Sequence, residues 1–378
     1  MTRKNIINLF ILVSATLIFI GCSKQDCPEE KGFTPAKEAK LDSIFAAAMT
    51  SYEIPGAIVG IWSPEGTYVK TKGLSDLATM EPMNVNNHFR IGSLTKTFTG
   101  TIVLKLVEEG KINLDESMAH YLPQYKFPEA DKITVRMLGN MTSGIFDCTR
   151  DQQWIEHNRA TNWETVYTAD SMVKIALPYP LNFEPGTKYN YTNTTPLILG
   201  LICESVTGKT MKQLLVEKIF EPYHLDQTIW PDNRYLPAPY SHGYSKENST
   251  REFKDMSLMN PSFAGASGNL ISNVYDLKKW IRLLGTGALY STASHQERLN
   301  WSSVSQNAYG FALENLFGVA DPEGFVLGHS GAIWGYNTMA YYIPSVDMAI
   351  VVHVNYYSRG EKLPASSLLM DMITVALD

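Results

Sequence analysis

An excess of positive charge is missing from this sequence. Its 378 residues carry 32 Lys and Arg against 38 Asp and Glu, a formal net charge of −6. That balance does not attract a polyanion, so nucleic acid is not expected as a partner. Metal-ligand spacing is missing too. The eight histidines are scattered, and no pair stands as in H-E-x-x-H, so no metal and no other cofactor is expected. There is no internal repeat and no low-complexity tract. The apolar run Ile6–Ile20 is too short, and too closely followed by polar residues, for a membrane span. Cysteine is scarce, with four residues.

What stands at the N-terminus has a pattern of its own. Arg3 and Lys4 precede the apolar run, which ends at Phe19-Ile20-Gly21-Cys22. This resembles a bacterial lipoprotein signal, with Phe19 where Leu is usual. The resemblance implies a signal peptide over 1–21, a lipid on Cys22, a tether over 22–33, and a protein attached to a bacterial membrane, facing the periplasm or the surface. An uncleaved anchor helix is the alternative. Either reading puts the remainder outside the cytoplasm. Loss of Arg3 and Lys4 with the signal changes the net charge from −6 to −8. With Cys22 lipidated, Cys27, Cys148 and Cys203 are left, an odd number, so no disulfide framework is expected. Cys203 lies in an apolar helical pattern and reads as a buried side chain. The remaining residues, about 345, suffice for one large domain or two intimate lobes.

Along the chain, Thr34-Pro35 reads as a helix start, followed by an apolar face of Leu41, Ile44, Phe45, Ala48 and Met49. Ala57 to Trp62, a turn at Ser63–Gly66, and Tyr68 to Lys72 read as a hairpin. Residues 150–186 show little periodicity, and such long irregular stretches are often functional. Helices are expected at about Pro196 to Val206, closed by Gly208, at Met211 to Phe220, at Val274 to Leu284 and at Ser366 to Leu377. Tyr336 to Tyr342 and Met348 to Val354 flank Pro344–Asp347 as an antiparallel hairpin. The expected class is α/β of the α+β type. One antiparallel sheet is built from both chain ends (about 34–88 and 265–378) and flanked by helices. A mainly helical lobe (about 89–264) is inserted, within a domain spanning 34–378.

The chemistry concentrates at Phe89-Arg90-Ile91-Gly92-Ser93-Leu94-Thr95-Lys96. An apolar helical pattern follows at Phe98, Ile102, Val103, Leu106 and Val107, with Gly110 as the stop. Residues i and i+3 share a helix face, so the Lys96 amine can lie beside the Ser93 hydroxyl. A serine hydroxyl needs a base, and a Lys becomes one when burial lowers its pKa. The helix N-terminus adds backbone N–H groups where negative charge develops.

Two further stretches join this one: Tyr191-Thr192-Asn193 and His329-Ser330-Gly331. The combination S-x-x-K, Y-x-N and H-x-G resembles the class C β-lactamase and D-alanyl-D-alanine carboxypeptidase family of penicillin-binding serine hydrolases. The likeness spans roughly residues 38 to 358. It includes Thr142-Ser143-Gly144, Glu184-Pro185-Gly186 and Val206-Thr207-Gly208. The resemblance implies an acyl-enzyme on Ser93, with Lys96 and Tyr191 sharing proton transfer and nearby positive charge keeping Tyr191 acidic. It implies that Asn193 binds the acyl-side amide. The oxyanion hole would be the N–H groups of Ser93 and Ala332, with Gly331 letting substrate approach the strand. His329 and Ser330 would face a substrate anion. The expected substrate is a peptide or β-lactam-like small molecule. The activity implied is D-Ala-D-Ala carboxypeptidase-like, with a class C-like β-lactamase or esterase, or a non-turnover penicillin-binding sensor, as alternatives. Two departures bear on this. The third motif opens with His329 where Lys is common, so its charge near neutral pH is open. No Arg or Lys lies between Gln306 and Gly328 to hold a terminal carboxylate. Arg359 and the Ser330 hydroxyl are the substitutes that the sequence offers. Gly328–Ala332 also approaches a G-x-S-x-G elbow with Ser330 as nucleophile, but no alternating parallel βα units precede it.

Overall fold

Residues 31–246, 252–304, 309–318, 324–358, 360 and 363–378 are described by a computed structural model. The signal segment 1–21, Cys22, Cys27 and Arg359 lie outside the described residues. The first helix, α1 (Pro35–Ser51), starts as its sequence requires: Thr34 Oγ1 accepts from Lys37 N and Pro35 opens the first turn. Its face of Leu41, Phe45 and Ala48 is buried.

Among the described residues, seven strands form one antiparallel sheet. They are β1 (Gly56–Ser63), β2 (Gly66–Asp76), β3 (Glu81–Pro82), β4 (Glu314–Asn315), β5 (Leu327–Ile333), β6 (Tyr336–Ile343) and β7 (Met348–Val354), in the order β3-β2-β1-β7-β6-β5-β4. The two chain ends meet directly at the centre, where Ala57 pairs with Val354 and Trp62 with Ala349. Strands β1 and β7 are buried on both faces. Val59, Ile61, Ile350 and Val352 pack with Leu41 and Phe45 of α1, and with Leu368 and Met372 of α5 (Pro364–Leu377). Ile58, Ala349 and Val351 face the other way, into the core containing Trp280 and Ile281 of α4 (Val274–Thr286). Alternate residues of a strand point to opposite faces, so a helix layer on each side asks for apolar residues at every position.

The site is carried by α2 (Thr95–Glu108), whose residues from Thr95 to Leu104 are all buried. This stretch of the helix has no solvated face, so its hydroxyls are satisfied internally. Thr99 donates to Ala266 O, and Thr97 accepts from Trp280 Nε1. Helix α3 (Thr194–Thr207) packs against it and ends on Gly208 at φ 67°.

Two expectations change. Residues 150–186 contain helices at Gln152–Ala160 and Ala169–Ala176, capped by Asp151 and Thr168. The first buries only Trp154 and Asn158, too little to print an apolar stripe on the sequence. The segment from Met211 is α-helical to Leu215 and then continues as a π turn over Val216–Phe220.

Candidate active site

Ser93 sits in one tight turn, Gly92–Leu94, between the short strand Phe89–Arg90 and α2. Gly92 has φ +52°, and a Cβ there would stand 2.8 Å from Ala332 N. A Cβ on Gly331 would stand 2.0 Å from Ile91 O. Two glycines therefore let the serine turn lie directly on β5, bringing the Ala332 amide beside it. The missing side chain of Gly331 makes room for the Ile91 carbonyl, a contact that the sequence reading, which gave the space to substrate, did not include.

Lys96 is fully buried. Its Nζ lies 3.0 Å from Ser93 Oγ, 2.9 Å from Asn193 Oδ1 and 2.8 Å from Ser267 O. Burial pulls its pKa down to about 7, against the opposing pull of the Asp147 and Glu314 charges. A neutral amine has two N–H groups and one lone pair. The Asn193 and Ser267 oxygens are both acceptors and take the two N–H groups. The lone pair is then left for the Ser93 hydroxyl, which is the arrangement of a base.

Asn193 is held from behind. Its Nδ2 donates to Thr149 Oγ1 (3.2 Å) and Asp147 Oδ2 (3.4 Å), and its backbone N donates to Asp147 Oδ1 (3.3 Å). Asp147 also accepts from Thr149 N and Oγ1. So Asp147, 6% exposed, fixes the amide orientation that presents Asn193 Oδ1 to Lys96. Sequence reasoning missed Asp147 and Thr149. The only local signal was their place directly after the Thr142–Gly144 turn. Asn193, expected to meet substrate, is engaged at both ends of its amide before any substrate arrives.

The Tyr191 ring lies 4.7 Å from Lys96 Nζ. Burial drives its phenol well above the ordinary value of 10, and a hydrogen bond with Ser93 only partly offsets this. The expectation that Lys96 acidifies Tyr191 is therefore corrected: desolvation wins, and Tyr191 is a phenol near neutral pH.

His329 is fully buried and does not line the catalytic cavity. Its Nδ1 faces Ser330 O, which can only accept, so Nδ1 carries the proton and Nε2 accepts from Tyr309 O–H at 3.0 Å. Burial lowers its pKa below 6.5, although Glu314 pulls the other way. A charged His329 binding an anion is thus replaced by a neutral ring holding Tyr309. Ser330 is turned away as well: its N–H and hydroxyl both donate to Glu314, which also accepts from Tyr341.

Ser93, Tyr191, Asn193 and Ala332 line a cavity of about 250 Å³. Part of its wall is aromatic, beside the polar Asp147, Thr149 and Arg150. Trp154 and Phe263 have ring centroids 5.3 Å apart, and Trp334 packs between Trp163 (4.7 Å) and Tyr357 (6.2 Å). These rings come from distant stretches with no common motif, so the sequence did not group them. A larger cavity of about 770 Å³, lined by Leu197, Trp230 and Tyr235 among others, holds none of the expected site residues.

A profile of the beta-lactamase family matches residues 41–368. Among curated proteins, Protein flp of Staphylococcus aureus (strain COL) is 24% identical over 335 residues, covering 86% of this chain and 64% of the relative. Penicillin-binding protein 4* of Bacillus subtilis (strain 168) is 24% identical over 321 residues, covering 80% and 68%. The chain thus spans less than two thirds of the length of the S. aureus relatives. Among solved structures, a D-stereospecific amidohydrolase from Streptomyces sp. superposes with a TM-score of 0.75 at 29% identity, covering 87% of this chain and 97% of that one. A D-amino acid amidase from Ochrobactrum anthropi SV3, at 21% identity and a TM-score of 0.77 over 90% and 99%, shares the fold.

Proposed function

The chain belongs to the beta-lactamase family of serine hydrolases, and from that premise we propose that it cleaves amide bonds on the carbonyl side of D-amino acids, through an acyl-enzyme on Ser93. The observation that carries this reading is the Lys96 amine. It is buried, brought down to about 7, and faces Ser93 at 3.0 Å while two acceptors hold its other positions. In the first step neutral Lys96 takes the Ser93 proton as Oγ bonds to the substrate carbonyl carbon. The N–H groups of Ser93 and Ala332 receive the oxyanion. The C–N bond then breaks, and Tyr191, a phenol at this pH, gives its proton to the leaving amine and is reprotonated from Lys96. Water hydrolyses the ester by the same groups in reverse.

The likeness to a D-stereospecific amidohydrolase at 29% identity supports an amide of a D-amino acid as substrate. A D-Ala-D-Ala carboxypeptidase would also have to hold a terminal carboxylate. Among the described residues 309–318 and 324–358, around β5, no Lys or Arg is present, and Arg359, the substitute that the sequence offers, lies outside them; our reading takes the leaving group as neutral. The aromatic part of the wall suits a bulky apolar side chain. The test pairs N-acetyl-D- and N-acetyl-L-phenylalanine amide, with Ser93→Ala as control and a fluorescent penicillin as active-site label. Amine release should favour the D form by more than about tenfold and vanish in Ser93→Ala. A permanent label with no amide turnover would make the protein a sensor, and rapid loss of label with no amide turnover would make it a β-lactamase. Either result overturns the proposal.

A further inference from the structure

We infer that Arg150 is the anion-recognising residue of this site and takes a carboxylate on the acyl portion of the substrate. The inference rests on the acyl-enzyme reading above and adds the charge of the preferred acyl group.

Among the described residues, the strand side of the cavity offers an anion no cation. His329 is a neutral, sealed ring and the Ser330 hydroxyl is committed to Glu314. Lys96 lies beneath Ser93, and its Nζ is already engaged by three oxygens. Among the described residues that line the catalytic cavity, Arg150 is the one Arg or Lys. It closes the short turn Cys148–Arg150, directly after the Asp147 that fixes Asn193.

Its geometry leaves it available. The Arg150 side chain is 62% exposed, and its Nε stands 3.7 Å from Asp147 Oδ2, too far for a hydrogen bond. Asp147 is 7% exposed at its side chain and already receives Thr149 and Asn193. The guanidinium is thus steered by charge at its near edge while its terminal N–H groups keep their donor capacity. A planar fork of this kind matches a carboxylate bidentately. It follows Thr149, which accepts from Asn193 Nδ2, so the proposed carboxylate lies on the Asn193 side of the cavity, and the acyl groups compared below test that assignment.

The experiment compares two anilides of D-phenylalanine with the same leaving group, one N-succinyl and one N-acetyl. The full chain is used as parent, Arg150→Gln and Arg150→Lys, at fixed ionic strength. Parent should prefer the succinyl substrate through KM. Arg150→Gln should raise the succinyl KM by about tenfold relative to the acetyl KM, with kcat moving much less, and Arg150→Lys should restore part of the preference. Ser93 adduct formation, followed by mass, reads the same ratio if anilide turnover is absent, so failure of the amidase reading is seen separately. An equal effect of Arg150→Gln on both substrates, or a parent with no succinyl preference, overturns the inference alone. Absence of both anilide turnover and any Ser93 adduct overturns it together with the acyl-enzyme reading.

Discussion

The pH dependence of Ser93 acylation tests the site most directly. With the Lys96 pKa at about 7, the neutral fraction is about one-eleventh at pH 6, one-half at pH 7 and ten-elevenths at pH 8. Acylation should therefore rise about tenfold between pH 6 and 8 and then level off. An exposed lysine, titrating near 10.4, would be neutral in only about one molecule in 2,500 at pH 7. Burial thus increases the base by about three orders of magnitude. The Asp147 carboxylate opposes this by raising the Lys96 pKa. Asp147→Asn should accordingly move the limb to lower pH. It should also lower the plateau, because an amide N–H₂ at 147 would confront Asn193 Nδ2 and disturb the oxygen that orients Lys96. The two effects are separable: one shifts the limb, the other scales it. Lys96→Arg should abolish the limb and reduce acylation by about 10²–10⁴ at every pH, since a guanidinium does not deprotonate. The assay is the rate of covalent labelling by a fluorescent penicillin from pH 5 to 9 at fixed ionic strength. A parent profile flat between pH 6 and 8, a limb near 10, or a limb that moves upward in Asp147→Asn would refute the reasoning.

Two predictions concern residues outside the proton relay. Burial holds His329 below 6.5 and His353 at about 3, so folding favours both neutral rings. Their contribution to stability is fully present above about pH 6.5 and is lost as pH falls toward the folded values. Urea midpoints at pH 7, 5.5 and 4.5 should fall, and less steeply in His329→Gln; a parent midpoint that holds or rises as pH falls would contradict this. At the N-terminus, we propose that Cys22 is lipidated and anchors the protein. Cys22→Ala should then leave the membrane fraction or stall before processing, and unchanged partition with an unchanged N-terminal peptide mass would count against the anchor.

Much of this molecule was legible because its signals are local. Thr34-Pro35 places a helix start by capping chemistry alone, and Gly208 places a stop by its left-handed φ. Ser93 and Lys96 are neighbours because three residues of helix make them so, and the structure puts their reactive atoms 3.0 Å apart. The hairpin over 336–354 follows from apolar stretches around a polar turn, and the central pairing of β1 with β7 from two strands that each need burial. The sequence could not say which way the third motif faces. His329 and Ser330 are adjacent, strand alternation sends them to opposite sides, and Tyr309 and Glu314 wait there from other stretches of chain. Nor could it give the sign of the Tyr191 shift, where desolvation set by the whole surrounding core outweighs the contact with Ser93. Asp147 behind Asn193, and Arg150 at the cavity wall, depend on a loop meeting a helix start some 46 residues further on. Capping, turn geometry and helical spacing are properties of a few consecutive residues, whereas the charge state of a buried group is a property of everything packed around it.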